Sequence, residues 1–155
     1  MLKKIILIIT IILSFAGFSF ADDIQDVRNF FNSYVSAANN YSPNVPNFYL
    51  PNAKIIRVVH KKDGTIKAVP FPMIDYANQM RKSSALAKTV GYKNNYLNIK
   101  ITPQGNDYKI SAMRYPRSDK IGLPVYFVVT KTSNGYKIKE ESMDTNVQDF
   151  LKYAK

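Results

Sequence analysis

Between Val90 and Met143, branched and aromatic side chains alternate with polar ones in four successive runs, at residues 92–101, 108–115, 123–130 and 136–143. A period of two sends neighbouring side chains to opposite faces of a strand, so this block predicts four strands of one sheet. Pro103-Gln104-Gly105-Asn106-Asp107 and Asn134-Gly135 are turn signals, and a longer charged stretch, 116–124, separates the second run from the third. Strands joined so briefly pair antiparallel. In the first run Leu97, Ile99 and Ile101 share one face, with Tyr92, Tyr96 and Asn98 on the other; in the third, Val125, Phe127 and Val129 alternate with Tyr126 and Val128.

Upstream the period changes. Ile24, Val27, Phe30, Phe31, Tyr34, Val35 and Ala38 recur every three or four residues, the apolar stripe of an amphipathic helix. Asp22 or Asp23 is placed to cap its start, Asp26 to sit in its first turn, and Asn39-Asn40 with Ser42-Pro43 to end it. Pro43, Pro46 and Pro51 allow no more than a single helical turn in the segment that follows. Residues 54–61 and 65–71 then form a hairpin about Asp63-Gly64. Pro70 and Pro72 launch a second helix, whose buried face carries Met73, Ala77, Met80, Ser84 and Ala87 before Gly91 stops it. Val147, Phe150 and Leu151 sit at helical spacing in the tail.

The first 21 residues stand apart. Lys3 and Lys4 precede an almost unbroken apolar run from Ile5 to Phe20, and Ser19-Phe20-Ala21 supplies small residues ahead of Asp22-Asp23. That is the pattern of a secretory signal peptide cleaved after Ala21; the alternative is an uncleaved N-terminal membrane anchor, for which the run is short against the roughly 20 apolar residues of a span. It predicts a secreted or periplasmic protein whose single domain is 22–155. No cysteine is present, so disulfides and a lipidated cysteine are excluded and the core alone must hold the fold. Setting aside Lys3 and Lys4 leaves 20 basic residues against 11 acids, a formal charge of +9. The cations are scattered singly along strands and turns, without the aromatic-basic pattern of a nucleic-acid surface. They predict weak contact with anionic envelope components and no nucleic-acid partner.

Helix, short broken helix, hairpin, helix, then four antiparallel strands: this order resembles the NTF2-like (SnoaL-like, cystatin-type α+β) family across residues 23–143. The helix stripe Ile24–Ala38, the approach Tyr49-Leu50-Pro51-Asn52-Ala53 and the turn Asp63-Gly64-Thr65 carry the resemblance. It implies an α+β cone: a strongly curved antiparallel sheet of about six strands, packed on a long N-terminal helix and a second helix, with a pocket on the concave side. It also implies dimerisation through the convex face, where either Val125, Phe127 and Val129 or the alternate set Tyr126 and Val128 would form the patch. Isomerases, dehydratases, hydrolases and non-catalytic binding modules share this fold, so function rests on the site.

The resemblance places an isomerase's carboxylate base on the first strand and a tyrosine donor on the first helix. Residues 54–60 hold no Asp or Glu; Arg57, always protonated, occupies the middle. Tyr34 supplies the donor, leaving a catalytic alternative of Tyr34, Arg57 and an Asp75 swung in from the second helix. His60 is the only histidine and is expected to be solvated beside the Asp63-Gly64 turn. No metal-ligand spacing or phosphate-binding glycine loop is present, and no cofactor is expected. Eleven tyrosines against no tryptophan is the remaining signal. They either pack as ordinary core or converge on an amphipathic pocket, for which the candidates are Phe31, Tyr34, Tyr49, Arg57, Tyr76, Met80, Tyr96 and Met113. Such a pocket would take a small amphipathic ligand; the alternatives are a protein partner, as in an envelope secretion assembly, or a small enzyme. A cavity above about 300 Å³ holding a carboxylate beside Tyr34 would mark the enzyme.

Overall fold

The computed structural model describes residues 21–117 and 119–154 in full and, over 2–20, the backbone alone. Of the leader expected at 1–21, only Ala21 has its side chain among those described. In the full-length chain helix α1 runs Leu2–Asn39, so Asp22 and Asp23 lie inside it rather than at its start, a correction to the sequence expectation. Asp23 is instead tied to the sheet. Its Oδ1 is 2.9 Å from Lys131 Nζ, and it accepts hydrogen bonds from Tyr108 (3.1 Å) and Tyr136 (3.2 Å). The Lys131 contact is the chief cause holding this carboxyl below its usual range. Among the described residues no helix is long and apolar enough to cross a membrane.

A 3₁₀ turn, Val45–Phe48, leads into strand β1, Tyr49–His60, which forms a hairpin with β2, Ile66–Phe71. Helix α2 spans Met73–Thr89, and β3 (Asn94–Gln104), β4 (Asp107–Pro116), β5 (Leu123–Thr132) and β6 (Gly135–Thr145) complete the sheet before a 3₁₀ tail, Gln148–Tyr153. Strand β1 begins five residues before the predicted Lys54. Pro51 is tolerated because it lies where the β1–β6 ladder shifts between Tyr49 and Lys54 and needs no donor there. The strands are ordered β2-β1-β6-β5-β4-β3. Four of the pairings are antiparallel, and β1 runs parallel to β6.

The curved sheet buries one face against α1. Val27, Phe31 and Tyr34 of the helix meet Ile55, Ile110, Phe127 and Val129 of the strands, all nearly or fully buried. Phe127 is the hub: ring centroids lie 5.3 Å away for Phe31 and 5.5 Å for Tyr34. Such pairs add roughly 0.5–1.5 kcal/mol each beyond area burial. Val125, Phe127 and Val129 are thus core, and of the two candidate dimer patches only the set with Tyr126 and Val128 faces outward.

Two bulges reset the alternation. In β3 the register slips by one residue between Leu97 and Lys100, with Asn98 at φ +57°. Tyr96, Ile99 and Ile101 consequently all pack on the core while Leu97 is exposed, which corrects the face assignment made by strict alternation. In β6 an extra residue, Lys139, sits between the pairs Val129–Ile138 and Val128–Glu140. Glu141, rather than Glu140, therefore points inward beside Ile138 and is fully buried.

Candidate functional site

Between α2 and the sheet the core turns polar. Arg57 enters from the middle of β1 and Glu141 from the adjacent β6, both essentially without solvent contact. Arg57 Nη2 lies 2.9 Å from Glu141 Oε1, and Nη1 donates to the Ile56 carbonyl at 3.1 Å. The guanidinium also stacks 4.7 Å from the Tyr76 ring centroid and 5.7 Å from that of Phe150.

Glu141 accepts further hydrogen bonds from Tyr49 through Oε2 and from Tyr76, whose hydroxyl is 3.3 Å from Oε1 and 3.2 Å from Oε2. The hydroxyls of Tyr34 and Tyr49 are 3.1 Å apart; because the one Tyr49 proton goes to Glu141, Tyr34 is the donor between them. A buried ion pair is tolerable when its remaining lone pairs and protons are satisfied in this way. Burial, then the negative charge of Glu141, pushes Tyr76 up to about 12. Tyr34, Tyr49 and Tyr96 are raised as well, each chiefly by burial. Burial pulls on the Arg57 charge, and Glu141 more than offsets it, so its proton is held more tightly than usual. All four phenols are donors at neutral pH, and none is a base.

Two adjoining clefts open beside this cluster. One, of about 170 Å³, is walled by Tyr34, Tyr76, Met80, Tyr92 and Tyr96. The other, of about 320 Å³, is walled by Arg57, Tyr76, Met80, Arg114, Met143 and Phe150. Larger grooves lie elsewhere: about 780 Å³ along β1 and β2 beside Met73 and Tyr153, and about 540 Å³ on the outer side of α2. Their polar linings, such as Lys54, Lys67, Asp75 and Lys82, are exposed residues. Ala53, Ile55 and Phe71 give the first a buried apolar floor, but no polar side chain lining either groove is buried in advance of a ligand.

Of the residues predicted for a pocket, Tyr34, Arg57, Tyr76, Met80 and Tyr96 line the two clefts, Tyr49 lies just beneath them, and Phe31 is core. Met113 does not join them; it pairs with Pro124 on the outer face of β4, beside Tyr126 and Lys109. Asp75 is also displaced from its expected position, exposed on the far side of α2. His60 is less solvated than expected: Nε2 is 2.6 Å from Asp144 Oδ2, and the ring is 36% exposed. Tyr108 and Tyr126 lie away from the clefts, against Asp23 and Glu140. Glu141 and Arg114 were not anticipated. Among the described residues no three acidic or histidine side chains are grouped to hold a metal ion.

The chain has the NTF2-like fold. A cystatin-fold NTF2-like protein from Novosphingobium aromaticivorans superposes with a TM-score of 0.64 at 9% identity, over 90% of this chain and 94% of that one. An NTF2-like protein of unknown function from Pseudomonas putida gives 0.64 at 6% identity, over 80% and 87%. A proposed scytalone dehydratase, also from N. aromaticivorans, gives 0.59 at 10%, over 82% and 86%. No protein-family model and no curated protein matches the sequence. The NTF2-like cone expected from element order is therefore borne out, and at these identities the likeness is one of fold.

Proposed function

We propose that this is an exported, non-catalytic NTF2-fold domain that binds a small amphipathic molecule between α2 and the sheet. The observation that carries this is the pair of clefts around Tyr76 and Met80, with aromatic and methionine walls and hydroxyl and guanidinium groups at their base. The condition of Glu141 favours binding over turnover. A carboxylate does stand near Tyr34, with Tyr49 between them, and the larger cleft passes the 300 Å³ mark. Yet Glu141 is fully buried and both its oxygens are occupied by Arg57, Tyr49 and Tyr76, so a substrate proton finds no free base. Asp75, the other base considered, faces away.

Export follows from the leader pattern at 1–21, with cleavage placing Asp22 at the start of the mature chain and leaving Asp23 its three sheet contacts. Native mass spectrometry of protein purified from the producing cell's envelope tests both parts. The expected result is a mass beginning at Asp22 with a co-purifying small molecule. A full-length mass from the cytosol, with no bound molecule, overturns the proposal.

A second reading concerns the outer face, where Val58, Met113 and Tyr126 lie beside Lys100 and Lys109. It would suit a second copy or a protein partner, and equilibrium sedimentation checks the first. A monomer at all concentrations removes the homodimer.

A further inference from the structure

The larger cleft contains an imbalance that the Arg57–Glu141 pair does not explain. Arg114, on β4, is 4% exposed and lines that cleft with Arg57. Its partners are all neutral: Nη1 donates to Asn94 Oδ1 (3.0 Å) and the Tyr92 hydroxyl (3.3 Å), and Nη2 to the Asp144 carbonyl (3.2 Å). Nε has no partner at all, and it is the one buried side-chain nitrogen or oxygen among the described residues so placed. No carboxylate among the described residues forms an ion pair with Arg114. A desolvated guanidinium with neutral partners and an orphaned donor is costly unless something negative completes it. Arg57 cannot share Glu141 with it, because that carboxylate is already filled. Since one negative charge in the core meets two guanidiniums, the cleft is left one anion short.

We propose that the ligand of this cleft is a monoanionic amphiphile, whose carboxylate or equivalent acidic head pairs with Arg114. This rests on the binding reading above and adds the charge and orientation of the ligand. The planar fork of an arginine suits a two-oxygen acidic head, and the free Nε supplies the donor that the present partners leave unused. Thr145 also lines the cleft, and Tyr76, Met80 and Phe150 give it walls for an apolar body.

The test compares two probes with the same aromatic body, the anionic 1-anilinonaphthalene-8-sulfonate and the neutral N-phenyl-1-naphthylamine. Each is titrated by fluorescence against the wild-type chain and two variants. Arg114→Met removes the cation. Asn94→Asp keeps the shape and places a carboxylate where Arg114 Nη1 already has its 3.0 Å contact, so the guanidinium is satisfied internally. We expect the wild type to bind the anionic probe at least tenfold more tightly than the neutral one. Either variant should erase that preference and change the neutral affinity less than twofold, which also shows that the variant folds. Equal affinities for the two probes in the wild type overturn the acidic-head assignment and leave the pocket intact. An anion preference that survives both variants marks surface binding and overturns it equally. Binding of neither probe overturns the pocket reading and this assignment with it.

Discussion

Arg57 Nη2 and Glu141 Oε1, 2.9 Å apart, join the middle of β1 to the one strand that runs parallel to it. Two hydroxyls and two rings close over the pair, so its removal is asymmetric. Glu141→Gln leaves a buried guanidinium unpaired and should cost about 3–5 kcal/mol in urea unfolding. Arg57→Met combined with Glu141→Leu should recover most of that, less what Tyr49 and Tyr76 forfeit without an acceptor. A Glu141→Gln loss within about 1 kcal/mol, the scale of a surface pair, would mean the pair is not desolvated.

Alkali should unfold this protein steeply. Phenols in the unfolded chain ionise near their ordinary 10, whereas Tyr76 is held up to about 12 and Tyr34, Tyr49 and Tyr96 are also raised, by burial first. Above pH 10 the folded state therefore keeps protons that the unfolded state has released. The stabilisation is complete below 10 and is lost as pH climbs through the folded values. Each such phenol lowers stability by up to about 1.4 kcal/mol per pH unit. Tyrosinate absorbance and far-ultraviolet circular dichroism followed together should show these four ionising only with the loss of structure. Ionisation of all eleven tyrosines in a still-folded chain would contradict the burial described.

The two faces of β5 should respond differently to truncation. Phe127→Ala empties the hub beneath Phe31 and Tyr34 and should cost about 3–5 kcal/mol. Tyr126→Ala, on the outer face, should cost far less, losing the Glu140 hydrogen bond (2.7 Å) and the Lys109 contact. Denaturant midpoints of the two variants decide it, and equal losses would reverse the assignment of faces.

Asn98 holds the β3 bulge at φ +57°, a conformation that asparagine tolerates and branched residues do not. Asn98→Gly should be neutral or mildly stabilising. Asn98→Val should cost about 1–2 kcal/mol or slip the strand by one residue, exposing Tyr96. Thermal melts and tyrosine exposure measure both.

Most of the architecture was legible because alternation, the Asp63-Gly64 and Asn134-Gly135 turns and the Phe31–Tyr34 stripe are local signals of tertiary consequence. The site was half legible. Arg57 stood out as a cation centred in an apolar strand, and Tyr34, Tyr76, Met80 and Tyr96 followed from helix faces and strand position. Glu141 was hidden by parity. Counting in twos from Ile138 turns Glu140 inward, and only the extra Lys139 reverses that. No spacing in Lys139-Glu140-Glu141 announces a bulge. Arg114 was concealed differently, because its significance lies in which partners it lacks, and that depends on three strands meeting. Asp75 failed by rotation: one residue from Tyr76 on a helix is about 100° away, enough to separate cleft from solvent.

Strand β6, though sixth in sequence, lies between β1 and β5, and it is the only strand joining the β1–β2 hairpin to the rest of the sheet. Until it arrives, the β1 edge of that hairpin is bare and Arg57 lacks the Glu141 carboxylate. Closure over so long a separation in sequence slows folding. A chain built this way completes its β1–β2 hairpin well before it makes the strand that anchors it.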